Sequence, residues 1–177
     1  DQLWQTLVDG VESVRFSTDN ELRSAGVDEA DIADPEYVLA YFSVDELEYF
    51  DAGFFGYQPR EAQLMDPQHR LFLETAWTAL DNAGYADVEQ FENKIGVFGG
   101  TARDSYVHHY VSKHPVYAKD LSEFYVNMGN DKNFPSTRVA YKLNLKGPAI
   151  NLQTACSTSG TALHVASSSL LNGECNI

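Results

Sequence analysis

Residues 150–160 read Ile150-Asn151-Leu152-Gln153-Thr154-Ala155-Cys156-Ser157-Thr158-Ser159-Gly160. A short alternating apolar run ends at a cysteine, small residues follow to Ala162, and an apolar pattern of helical spacing then runs through Leu171. The stretch predicts a strand, a sharp turn and a buried helix, with the Cys156 thiol at the corner. A thiol at the start of a helix faces unpaired N–H groups and the positive end of the helix dipole, which favour a thiolate nucleophile. The small residues let a backbone or a thin substrate approach closely. A buried cysteine that only packs is the alternative reading of the same residues.

Working outward from this corner, Lys146-Gly147-Pro148 forms a turn before the strand. A helix is expected over 134–142, with Arg138 and Tyr141 inside it. Further upstream, Ile95-Gly96-Val97-Phe98 is a short apolar strand running into Gly99-Gly100-Thr101. Ligands of α/β folds sit at such strand ends, which places loop 99–106 near the site. Gly-Gly-Thr lacks the spacing of a glycine-rich nucleotide motif. The clearest helix starts at Asp66 as N-cap and Pro67 as first residue. It places Leu73, Ala76, Trp77 and Leu80 on one face, and Gly84 closes it.

The N-terminal third is less regular. Leu3, Trp4, Leu7 and Val8 have helical spacing, and Gly10 suits the stop. The chain thus opens on a helix with no strand before it. Residues 17–36 are polar and acidic and predict a surface segment with one short helix after Asn20. The aromatics between Tyr37 and Tyr57 predict a loop folded onto a core. Helix, helix, strand, helix, strand, helix is an α/β order, with helices packed over a largely buried sheet.

At 177 residues and 44% hydrophobic content the chain can build a core. A net charge of −14 repels nucleic acid and anionic membrane surfaces, so neither is an expected partner. No apolar run approaches the roughly 18 residues a membrane helix needs. The two cysteines, Cys156 and Cys175, flank the predicted helix. At about 1.5 Å per residue they lie roughly 28 Å apart, beyond the ~7 Å a disulfide tolerates. Two free thiols fit a reducing compartment, most simply the cytoplasm.

A nucleophilic thiol needs a proton-transfer partner. His164, eight residues on, is carried roughly 12 Å along the helix and turned by about 80°. It cannot reach the sulfur and reads as a packed or hydrogen-bonded helix residue. His69, His108, His109 and His114 show no tie to Cys156, and the last three lack the cysteine or carboxylate spacing of a metal centre.

Several motifs together are similar to one family. Phe50-Asp51-Ala52-Gly53-Phe54-Phe55-Gly56, Pro59-Arg60-Glu61-Ala62 and Met65-Asp66-Pro67-Gln68-His69-Arg70 come first. Trp77-Thr78-Ala79-Leu80-Asp81-Asn82-Ala83-Gly84 and Gly96-Val97-Phe98-Gly99-Gly100 follow, then Arg138 through Pro148 leads into Thr154-Ala155-Cys156-Ser157-Thr158-Ser159. The chain resembles the N-terminal part of a β-ketoacyl synthase domain, the ketosynthase of a modular type I polyketide synthase. The resemblance implies a thiolase-like α/β fold of layered αβαβα type, of which residues 1–177 would be the N-terminal half, a partial ketosynthase domain without its first strand and C-terminal half.

It also implies a function. Cys156 would take an acyl chain as a thioester from the phosphopantetheine arm of an acyl carrier protein, and a decarboxylated malonyl-type extender would attack that thioester. No directly bound cofactor or metal is implied. Two downstream histidines and a lysine would assist from beyond residue 177. The Cys156 backbone N–H would serve as an oxyanion donor. The strand 149–154 would pair across a homodimer twofold, and the other modules of the synthase would be further partners. The acidic charge does not explain carrier docking, since such carriers are themselves acidic.

Gly160 and Thr161 depart from the two larger aliphatic residues the family places there. This lowers helix propensity beside the nucleophile and bears on the acyl channel. The alternative function is a catalytically inactive or non-elongating segment serving dimerisation and carrier docking, because no reachable base is evident; the isolated 177 residues are expected to show no condensation. A cysteine hydrolase is the weaker third reading.

Overall fold

The helix expected after Asp66 is the longest among the described residues, Pro67–Asn82. The Asp66 side chain accepts from the Gln68 N–H at 2.8 Å, and Pro67 occupies the first turn, where it forfeits no hydrogen bond. At its far end Gly84 takes φ +79°. Its N–H donates to Asp81 O at 3.0 Å and that of Tyr85 to Leu80 O at 2.7 Å. This left-handed closure satisfies two terminal carbonyls and favours glycine.

The computed structural model describes residues 2–87, 94–102, 105–113 and 123–177. The chain divides into two compact units, Asp1–Glu46 and Leu47–Ile177.

The first unit holds α1 (Gln2–Val8), β1 (Arg15–Phe16), α2 (Asp19–Ala25), α3 (Glu29–Ile32) and β2 (Ala40–Tyr41). Thr18 and Glu21 form a reciprocal capping box on α2: Glu21 accepts from the Thr18 N–H at 2.7 Å, and Thr18 Oγ1 accepts from the Glu21 N–H at 3.3 Å. The Thr18 N–H and, after it, the Thr18 hydroxyl both donate to the Glu21 carboxylate and hold it below its ordinary range. Asp28 caps α3 in turn. The polar segment thus carries two helices, not one. β1 and β2 pair antiparallel, Arg15 opposite Tyr41 and Phe16 opposite Ala40. Strands of two residues are too short to leave an alternating signal, so the sequence did not announce them.

The second unit contains α4 (Pro59–Leu64), α5 (Pro67–Asn82), β3 (Val97–Gly99), a π-helical turn at Val107–Val111, α6 (Glu123–Asn130), α7 (Pro135–Lys142), β4 (Ala149–Asn151), a 3-10 turn at Ala155–Ser157 and α8 (Thr158–Leu171). β3 and β4 run parallel, with Val97, Phe98 and Gly99 opposite Ala149, Ile150 and Asn151. Beyond β3 on its other side, Gly96 N–H donates to Ile177 O at 2.7 Å. α7 packs against both strands and against α5, and α8 packs against β3. Val97 joins Leu73 and Val139 in one buried cluster. Phe98 points the other way, by strand alternation, and lines a cavity with Ala162 and Leu163 of α8. Helices therefore lie on both sides of β3, the α/β arrangement expected, while Ile150 of β4 stays 37% exposed.

The aromatic run divides between the units. Phe50, Phe55 and Tyr57 pack in the core of the second, Phe50 stacked on Phe55 at 5.3 Å between ring centres. Tyr37, Tyr41 and Phe42 belong to the first and are exposed. A single folded-over loop is thus corrected to two separate environments.

Candidate active site

Parallel pairing brings the two strand ends together. The Leu152 N–H donates to Gly99 O at 2.8 Å, extending the ladder one step past β4. Gly100 then passes so close to the opposite chain that a Cβ there would lie 2.1 Å from Leu152 O and 2.8 Å from Thr158 Cγ2. The sequence-based placement of loop 99–106 beside the thiol holds for Gly99 and Gly100; Thr101, Ala102, Ser105 and Tyr106 are not in the described lining of the cavity that Cys156 lines, and residues 103–104 lie outside the described residues.

β4 is fixed from behind by its own polar side chains. Phe134, at the N-cap of α7, offers no capping atom. Asn151 supplies one instead: its Oδ1 accepts from the Ser136 N–H at 2.9 Å, and its Nδ2 donates to Asn133 O. Ser136 Oγ donates to Ile150 O at 3.0 Å. A strand residue thus caps a helix fifteen positions upstream, a pairing with no local signature in the sequence.

The chain turns sharply after Gln153. Ala155 sits in the left-handed region at φ +53°, a conformation costing a residue with a Cβ roughly 1 kcal/mol or more. Cys156 follows in the 3-10 turn, and α8 starts at Thr158. The turn is closed by side chains. Thr158 Oγ1 accepts from the Thr154 N–H at 3.0 Å and donates to Ala155 O at 2.8 Å. Ser157 Oγ donates to Thr154 O at 2.8 Å.

Cys156 is exposed and Cys175 is buried, and both are free thiols. Cys156 is therefore not packed among the described residues. It lines a cavity of about 690 Å³ with Phe72, Phe98, Gly100, Thr158 and Leu163, among others, and is the one titratable side chain among the described residues of that lining. Its backbone N–H donates to no described residue. An unengaged amide and a thiol on one residue form the arrangement that activates an acyl carbonyl, provided the carbonyl oxygen reaches the amide. A second recess, about 310 Å³ and lined by Leu64, Met65, Tyr125, Met128 and Arg138, carries no nucleophile.

α8 is less buried than its pattern implies. Ala162 and Ser169 are buried, but Leu163 and Leu171 are 71% and 89% exposed. β3 covers only one side of the helix, and nothing among the described residues covers the other. A Cβ at Gly160 would meet no atom within 4 Å.

The histidines are placed apart from the thiol. His164 is exposed on α8, which overturns the packed alternative of the packed-or-hydrogen-bonded reading. His108 and His109 lie on the π-helical turn and do not line the cavity, and His114 lies outside the described residues. Among the described residues no cluster of His, Cys, Asp or Glu is arranged for a metal.

His69 is the exception in burial. It is 1% exposed, in the first turn of α5, and its Nδ1 has no hydrogen-bond partner. Burial, reinforced by the Arg138 charge and opposed by Asp131, pushes its pKa down to about 4. Unfolded, it titrates near 6.5. The fold therefore gains from neutral His69 above about pH 6.5. That gain is lost as pH falls towards 4, where the unfolded chain binds a proton the folded one refuses. The loss amounts to about 3 kcal/mol. Urea midpoints measured from pH 7.5 to 4.5 should fall more steeply for the unsubstituted protein than for His69→Gln. Parallel slopes would remove His69 as the cause.

The comparisons with known proteins agree with this architecture. The sequence profile of the β-ketoacyl synthase N-terminal domain matches residues 1–177. The chain belongs to the β-ketoacyl synthase family. Among its relatives, a phenolphthiocerol/phthiocerol polyketide synthase of Mycobacterium tuberculosis is 45% identical over 180 residues, spanning 98% of this chain and 12% of that protein. Pikromycin polyketide synthase component PikAII of Streptomyces venezuelae is 39% identical, spanning 100% of this chain and 5% of the relative. The synthase segment therefore covers a small part of the proteins it matches. Among solved structures, ketosynthase twelve of the bacillaene polyketide synthase from Bacillus amyloliquefaciens superposes with a TM-score of 0.83 at 34% identity, over 98% of this chain and 30% of that one. The module 6 ketosynthase of the Bacillus subtilis bacillaene synthase gives 0.75 at 32%, over 98% and 27%. The fold is thus the thiolase-like fold of ketosynthase domains, in its N-terminal portion.

Proposed function

We propose that this segment is the nucleophile-bearing part of a ketosynthase that elongates a polyketide chain by decarboxylative Claisen condensation, with Cys156 as its acyl acceptor. The observation that carries the reading is the exposed Cys156 thiol with its own N–H unengaged, at a strained corner between β4 and α8. The substrate is an acyl group on the phosphopantetheine arm of an acyl carrier protein. In the first step the Cys156 sulfur attacks the thioester carbonyl. The new sulfur–carbon bond replaces the carrier's, and the carrier thiol leaves with the proton Cys156 gave up. The Cys156 N–H stabilises the intermediate oxyanion.

In the second step a malonyl-type carrier thioester loses its carboxyl group as carbon dioxide. The electron pair of the broken bond forms the new carbon–carbon bond at the acyl carbonyl carbon held on the Cys156 sulfur, and the carbon–sulfur bond breaks to release Cys156 as a thiolate. Among the described residues the cavity lining offers no base. The groups assisting this step therefore come from the longer synthase, whose further modules are partners of this segment.

The domain works as a homodimer. Among the described residues β4 pairs only with β3, so its other edge is open to the same strand of a second copy. Free thiols support a reducing, cytoplasmic setting, and among the described residues no helix is long and apolar enough to cross a membrane.

Product analysis of the intact synthase, given acyl and malonyl carrier thioesters, tests the reaction. The expected product is a β-keto chain longer by two carbons. Free acid without elongation would indicate a hydrolase, and no turnover a docking segment.

A further inference from the structure

We infer that Thr161 is a positioning residue for the Cys156 corner. This rests on the reading of Cys156 as acyl acceptor. Thr154 is held at three points. Its N–H donates to Thr158 Oγ1 at 3.0 Å, its carbonyl accepts from Ser157 N and Oγ at 3.2 and 2.8 Å, and its hydroxyl donates to Thr161 Oγ1 at 3.0 Å. The first two contacts close within residues 154–158, inside the turn itself. The first reaches only Thr158, the first residue of α8, whereas the third reaches three residues further into the helix and anchors the turn to its body.

Between Thr154 and Cys156 stands Ala155 at φ +53°. A residue with a Cβ persists in that well only while its flanks are fixed, and it relaxes when one is freed. Such relaxation rotates the next peptide, which carries the Cys156 N–H. Thr154 is exposed, so without Thr161 its hydroxyl turns to water and no group is left buried and unpaired. The contribution of Thr161 is therefore orientation, not burial.

The test compares the intact synthase with its Thr161→Val and Thr161→Ser variants. Each is treated with a short-chain acyl N-acetylcysteamine thioester, and acylation of the Cys156 peptide is followed by mass. Alkylation of buried Cys175 reports general loosening of the fold. Thr161→Val should lower the maximal acylation rate about fivefold, as for loss of one hydrogen bond, without changing the half-saturating concentration. Thr161→Ser should restore the rate, with Cys175 equally protected in all three proteins. The inference is overturned if Thr161→Val acylates at the original rate, if serine fails to rescue, or if Cys175 becomes reactive in step with the loss. A synthase that takes no label on Cys156 even without substitution removes the acyl-acceptor reading, and the role of Thr161 with it.

Discussion

Cys156→Ala should abolish covalent acyl labelling within residues 1–177 while leaving the fold in place. The side chain is exposed, so its loss opens no cavity, and a surface substitution of this size changes stability by about 0.5 kcal/mol or less. Alanine is also the residue that already occupies position 155 in the left-handed well, and Cys156 itself is not among the positive-φ residues. Within residues 1–177, by contrast, labelling has no second exposed thiol to fall back on. Among the described residues Cys175 is the other thiol, and it is 3% exposed. The experiment is mass analysis of the synthase after incubation with an acyl thioester, with peptide mapping of the adduct. Label that persists at another residue in the variant would show that the corner is not the acceptor.

The residues that made the corner legible in sequence are those whose signals are local. Asp66-Pro67 and Gly84 bracket α5 because capping and left-handed closure depend on one residue each. The strand, turn and helix around Cys156 were readable for the same reason, as a change from period two to helical spacing over a dozen residues. The features that escaped are long-range. Asn151 looks like an ordinary strand residue until Ser136 arrives from another helix to be capped by it. The left-handed Ala155 is invisible because alanine carries no preference for that region, and its stability there comes from the surrounding bonds of Thr154, Ser157, Thr158 and Thr161. His69 looked like one more histidine without a role. Its neutral state follows from burial against the packed second unit, which no single-residue signal encodes.

Gly100→Ala should be the most damaging small substitution near the site, and its comparison with Gly160→Ala separates steric from conformational effects. At Gly100 the added methyl would sit 2.1 Å from a backbone oxygen, that of Leu152. A flexible side chain could swing away from such a contact, but a carbonyl in a hydrogen-bonded ladder cannot without moving the strand. Relief requires the two strand ends to part, which strains or breaks the Leu152 N–H bond to Gly99 O. Overpacking and the lost bond together cost about 3 kcal/mol. The same movement displaces Thr158, whose Oγ1 holds both Thr154 and Ala155, so the amide of Cys156 loses its aim. A misplacement on the order of 1 Å in a reacting group can cost ~100-fold in rate, and acylation of Cys156 should fall by about that factor. At Gly160 an added methyl meets nothing within 4 Å. Alanine there raises helix propensity by about 1 kcal/mol, so the variant should melt a few degrees higher and acylate normally. Thermal midpoints and labelling rates of the two variants measure both effects. If Gly100→Ala melts and labels like the unsubstituted protein, the close approach of strands β3 and β4 is not what holds Cys156 in place.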